Sequence, residues 1–139
     1  MKKVTKARRL LTLGWLAATI FGCGALQSQP ASRIIPISNF EQVAGKWEGL
    51  SKRMPDMRDD AQVLVIISKN GHVNFISDRG TGVLLGTGTL TILEGKVFGK
   101  TGSGTGTFTL HDKAGNLVLV LEAALNDGNH YYLEMTPMK

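Results

Sequence analysis

Residues 105–125 read Thr-Gly-Thr-Phe-Thr-Leu-His-Asp-Lys-Ala-Gly-Asn-Leu-Val-Leu-Val-Leu-Glu-Ala-Ala-Leu, and their pattern decides the fold class. Thr105, Thr107 and Thr109 fall on one face of an extended segment, with Gly106, Phe108 and Leu110 on the other. A period of two is that of a half-buried strand. Asp112 to Gly115 supply turn residues, and the run from Asn116 to Leu125 is apolar on both faces at Val118 to Leu121. Such a run fits a strand covered on both sides, so the stretch predicts an antiparallel hairpin.

The same grammar continues in both directions. Thr89 and Thr91 oppose Leu90 and Ile92, and Asn70-Gly71 is a strong two-residue hairpin signal. Glu94-Gly95 and Asp127-Gly128 mark further turns. The runs bounded in this way are 47–53, 62–68, 72–78, 83–92, 96–100, 105–111, 116–125 and 130–136. They predict an all-β domain, a small antiparallel up-and-down meander of about eight strands. Closing it removes the edge strands, and the pattern leaves barrel and sandwich both open. Before the first run, Ser38-x-x-Glu41 matches a capping box, with Phe40 and Val43 on one helical face and Gly45 as a stop. That is room for one or two helical turns. Ile34-Ile35-Pro36-Ile37 reads as the end of a tether or as a short edge segment.

Upstream the composition changes. Lys2, Lys3, Lys6, Arg8 and Arg9 precede an apolar stretch from Leu10 to Gly22, shorter than the roughly 20 residues of a spanning helix. This is the secretory signal pattern. Ile20-Phe21-Gly22-Cys23, with the only cysteine of the chain, resembles the lipobox of bacterial lipoprotein precursors, although Phe21 stands where a smaller residue is usual. The resemblance implies a diacylglyceryl thioether on Cys23, cleavage before it and acylation of the new amino group. Two or more acyl chains give a stable anchor where one does not. Gly24, in place of an Asp, implies the outer membrane, facing the periplasm. The alternative is ordinary cleavage near Ala25. The expected organisation is a signal peptide at 1–22, a lipidated Cys23 with flexible tether over 23–37, and a β domain over 38–139.

Charge narrows the function classes. The signal region holds five of the sixteen Lys and Arg residues and none of the eleven acids, so the chain from Cys23 onward is neutral. A nucleic-acid partner calls for a basic patch, and no Lys/Arg cluster remains.

Gly45-Lys46-Trp47, following a short capped turn, resembles the opening G-x-W motif of lipocalins and related calycin barrels. The resemblance implies a turn closing one barrel end, Trp47 at the floor, and a small apolar ligand held by residues such as Trp47, Val65, Phe75 and Phe108. No Thr-Asp-Tyr motif is present, and the last strand has no Arg to cover the Trp.

Reactive constellations are sparse. In a meander, His72 and His111 fall at one end and His130 at the other, and the first two with Asp112 fall short of a zinc site. Asp56, Asp59 and Asp60 lack the alternating ligands and central glycine of a calcium loop. Gly95-x-x-x-Gly99-Lys100-Thr101 is one residue short of a phosphate-binding loop and opens no helix. No nucleophile is set beside a base. The expectation is therefore a non-enzyme without metal or cofactor, with Arg58 and Arg79 as polar contacts at the end opposite the helical turn. The function expected is an envelope lipoprotein whose β domain binds a protein or envelope component. The alternatives are a lipocalin-like carrier of a small apolar ligand and an inhibitor of a wall-degrading enzyme.

Overall fold

The computed structural model describes residues 31–79 and 86–139. Nine strands occur in it: β1 (Arg33–Ile35), β2 (Gly45–Arg53), β3 (Arg58–Ile67), β4 (His72–Ser77), β5 (Gly86–Leu93), β6 (Lys96–Thr101), β7 (Gly104–Lys113), β8 (Asn116–Leu125) and β9 (His130–Pro137), with a 3₁₀ turn at Phe40–Gln42. Strands β2 to β9 pair antiparallel with their sequence neighbours, and β9 returns to pair with β2 from Trp47↔Pro137 to Arg53↔Tyr131. The eight-stranded meander is thus a closed barrel. The hairpins predicted at Asn70-Gly71, Glu94-Gly95, Asp112 to Gly115 and Asp127-Gly128 are all present.

Alternation fills the interior. One inward row runs Val97, Phe108, Leu121, Leu133 and Ser51 around half the circumference, and each of these is at most 1 % exposed. The next row toward the open end is Leu90, Gly99, Gly106, Ala123, Tyr131 and Arg53. Its small members give space to their neighbours. A Cβ on Gly106 would lie 2.7 Å from Leu121 Cδ1, and one on Gly99 would lie 3.0 Å from Leu90 Cδ2. Beside Phe75 and Phe108 lies a cavity of about 20 Å³.

Residues 36–44 close one end. Ile37 and Val43 are fully buried, and the Ile37 amide donates to the Gly95 carbonyl at 2.9 Å. Trp47, 3 % exposed, donates from Nε1 to the Val43 carbonyl at 2.7 Å. Phe40 lies over Gly71, where a Cβ would come within 2.7 Å of its ring. The cap differs from the expected Ser38–Glu41 box by one position. Gln42 Oε1 accepts from the Ser38 amide at 2.6 Å, the Ser38 hydroxyl at 3.0 Å and the Asn39 amide at 3.1 Å. Gln42 stands at the third helical position after Asn39 and reaches back, while Glu41 pairs with Lys69 at 3.6 Å.

The expected tether over 23–37 also needs revision at its C-terminal part. Strand β6 is short and covers β7 only from Thr105 to Phe108, so β1 occupies the vacant edge from Leu110 to Asp112. The domain therefore includes Arg33 onward. The expected strand start at Val83 lies outside the described residues, as does Cys23.

The closing seam is tight where β2 passes β9. A Cβ on Gly49 would sit 2.3 Å from the Glu134 carbonyl oxygen, whereas one on Gly102 meets nothing within 4 Å. Gly49→Ala is expected to cost about 1–3 kcal/mol, the range for forcing atoms into a packed site, with Gly102→Ala near neutral. Denaturant midpoints of the two variants check this; equal midpoints would refute the tight seam.

Candidate functional site

At the end opposite the plug the barrel wall is irregular. The β2–β3 register slips between Leu50 and Lys52, so Asp60 and Ala61 together face Ser51. Such a bulge leaves backbone groups unpaired and re-aims a side chain. Ser51, fully buried, repairs the first defect: its hydroxyl donates to the Ala61 carbonyl at 2.9 Å and accepts from the Ala61 amide at 3.0 Å. The second effect turns Asp60 toward Arg53.

The result is an ionic cluster at the mouth. Arg53 Nη2 donates to the Tyr131 hydroxyl at 3.1 Å and lies 3.9 Å from Asp60 Oδ1. Arg79 Nη1 approaches the same carboxylate oxygen at 3.6 Å. The Arg53 guanidinium also stands 5.7 Å from the Tyr131 ring centroid, within cation–π range. Tyr131, by accepting its hydrogen bond, raises the Arg53 pKa further above its ordinary value, with smaller help from Asp60 and Asp127. Two buried atoms, Arg53 Nε and Asp60 Oδ2, have no hydrogen-bond partner among the described residues. Buried polar atoms of this kind are ordinarily met by a polar group, water included.

From this mouth a groove of about 840 Å³ descends the outer wall across β5 to β9. Thr89, Thr91, Thr105 and Thr107 line it with hydroxyls, and Phe98 and Tyr132 supply aromatic surface. Lys100, Glu122 and His130 are its polar rim. Tyr132 is held from below: its hydroxyl donates to Glu134 Oε1 at 2.7 Å, and Lys113 Nζ donates to the same oxygen at 2.8 Å. Burial and then the Glu134 bond push the Tyr132 phenol up to about 12. The Lys113 and Tyr132 donors hold the Glu134 carboxyl below its ordinary value.

The expected contact residues divide. Arg79 joins the mouth cluster. Arg58 is at the same end, exposed and opposite Arg53 in register, and makes no ion pair among the described residues. Trp47, Val65, Phe75 and Phe108 are core side chains, the two phenylalanines stacked with ring centroids 6.2 Å apart. Each of the four is at most 7 % exposed. His72 and His111 do not come together, because β5 and β6 separate their strands. His111 bonds instead to Ser32 and Thr109, each at 3.0 Å. Of the three aspartates, Asp59 pairs with Lys52 at 3.4 Å and Asp60 with the arginines. Among the described residues no three His, Cys, Asp or Glu side chains gather as a metal site. The Gly95–Thr101 segment is a turn and strand β6. Arg53 and the groove were not foreseen, since only the bulge brings Asp60 to Arg53.

Comparison of the chain with known families, curated proteins and solved structures finds no match.

The Glu134 pair sets an acid-side expectation. A depressed folded pKa means stabilisation that is complete above the ordinary carboxylate value of 4.5 and lost as pH falls through the lower folded value. Between neutral pH and about pH 3, Glu134→Gln should therefore lose less stability than the parent. Denaturant midpoints at the two pH values read this, and parallel losses would contradict it.

Proposed function

We propose that the protein is a non-catalytic envelope lipoprotein, anchored through lipid on Cys23, whose barrel binds a protein or another envelope component by its outer surface. The carrying observation is a contrast between two spaces: about 20 Å³ in the cavity beside Phe75 and Phe108, and about 840 Å³ in the groove on the outer wall. The inner figure is the scale of one water molecule, while the outer one is that of a binding cleft. A carrier of an apolar ligand would need more room beside Phe75 and Phe108 than this cavity gives. Because β5 to β9 are paired on both sides, the groove floor offers side chains rather than a free strand edge. Recognition there runs through threonine hydroxyls, Phe98 and Tyr132, and Tyr131, which also lines the groove, links it to the Arg53–Asp60–Arg79 cluster.

A photo-activatable cross-linker placed in turn at Thr107, Tyr132 and Arg79 in native membranes is expected to capture one common component. The same probe at Ile76, exposed on β4, should not. Thr107→Arg should lower capture from Tyr132 about tenfold, roughly a 1.4 kcal/mol loss, at an unchanged melting temperature. Equal capture from Ile76, or none from the groove, would refute this surface.

A further inference from the structure

The plug end carries exposed apolar side chains that the fold does not use. Ile34 and Leu93 are each 57 % exposed, Met138 43 % and Leu117 41 %. The register places them along one arc of the rim. Leu93 ends β5 at the turn whose Gly95 packs on Pro36, immediately after β1. Ile34 in β1 is level with His111 in β7 and Val118 in β8. Leu117 opens β8, and Met138 follows β9, held by its amide to the Lys46 carbonyl at 2.9 Å. The arc thus passes from the β5–β6 turn through β1 and β8 to the last residues after β9.

The chain toward Cys23 leaves from the middle of that arc. Arg33 is paired to Asp112 at the plug rim, and Cys23 lies ten positions before it. Ten residues span at most roughly 35 Å fully extended and average nearer 17 Å as a flexible chain. Ten-residue strands such as β3 make a barrel of comparable height, roughly 30 Å. The attachment point therefore keeps the plug rim, not the mouth, within easy reach of the bilayer.

We propose that the arc formed by Ile34, Leu93, Leu117 and Met138 is a membrane-contacting surface that seats the barrel on the lipid layer with its mouth directed away. This rests on the reading of Cys23 as the lipid anchor. Charge is nearly balanced around the arc. Arg33–Asp112 and Lys113–Glu134 are ion pairs, and the nearby Lys46, Lys96 and Lys139 stand against Glu48 and Glu94. The contact is accordingly apolar, with lysine stems able to lie along the interface, and it should be insensitive to salt.

The test uses the full-length lipidated protein in phosphatidylethanolamine–phosphatidylglycerol vesicles. With Cys23 acylated, a cysteine introduced by Leu93→Cys, Leu117→Cys or Met57→Cys is the only free thiol and takes a single nitroxide. Collision with oxygen, relative to a water-soluble nickel chelate, is expected to be several-fold greater at 93 and 117 than at 57, at both low and high salt. Ile34→Asp with Met138→Asp should bring the probe at 117 back to the aqueous value while the protein stays on the vesicles. Water-like values at all three sites on vesicle-bound, acylated protein overturn the surface alone. Absence of the acyl mass on Cys23, with a second nitroxide taken up there, overturns the anchor and the surface with it.

Discussion

The pairing of β9 with β2 is the interaction on which the molecule depends. Every other strand pair joins sequence neighbours or adds the short β1, whereas this seam ties Trp47 to Pro137 and Arg53 to Tyr131. Without it the sheet would present two long edges, which invite pairing with other chains. With it, both faces acquire fixed roles. The inward face becomes a core of Val, Leu, Phe and Met, and the outward face becomes a wall of paired strands. Gly49 is the local condition for closure, because its missing Cβ lets the Glu134 carbonyl approach.

Closure also separates the two ends chemically. The plug end is satisfied by short-range contacts: Gln42 caps its own turn, Trp47 reaches Val43, and Ile37 reaches Gly95. The mouth end is satisfied by charge, through Arg53, Asp60, Arg79 and Tyr131. A bulge is tolerated there because Ser51 takes up both backbone groups that it exposes. Two buried atoms of the cluster, Arg53 Nε and Asp60 Oδ2, have no hydrogen-bond partner among the described residues.

Much of this was legible in the sequence. The alternation around Phe108 and the turn residues at Asn70-Gly71, Glu94-Gly95 and Asp127-Gly128 are local signals, and they gave strand number and order. Closure was not legible, since a sandwich and a barrel share those signals and differ in one long-range pairing. Ile34-Ile35 was ambiguous because a three-residue strand has too few positions for a period. Its place was set by the shortness of β6, a tertiary fact. The mouth was half-read: Arg79 and the aspartates were visible as charges, but Arg53 looked like the last residue of an ordinary strand. Only the slipped register, which no local pattern announces, directs Asp60 toward it. Trp47, Phe75 and Phe108 fit a ligand lining as well as a core by residue type. The inward glycines at 99 and 106 let Leu90 and Leu121 come close, which local pattern does not announce.

The seam has a further consequence in time. A chain emerging from its amino end completes β2 early and has to hold that strand unpaired on one side until β9 is available. Contacts that distant in sequence are slow to form and leave strand edges open meanwhile. The barrel therefore reaches its sealed form only after almost the whole chain has been released. Any partner that protects the β2 edge before then acts on folding rather than on the finished protein.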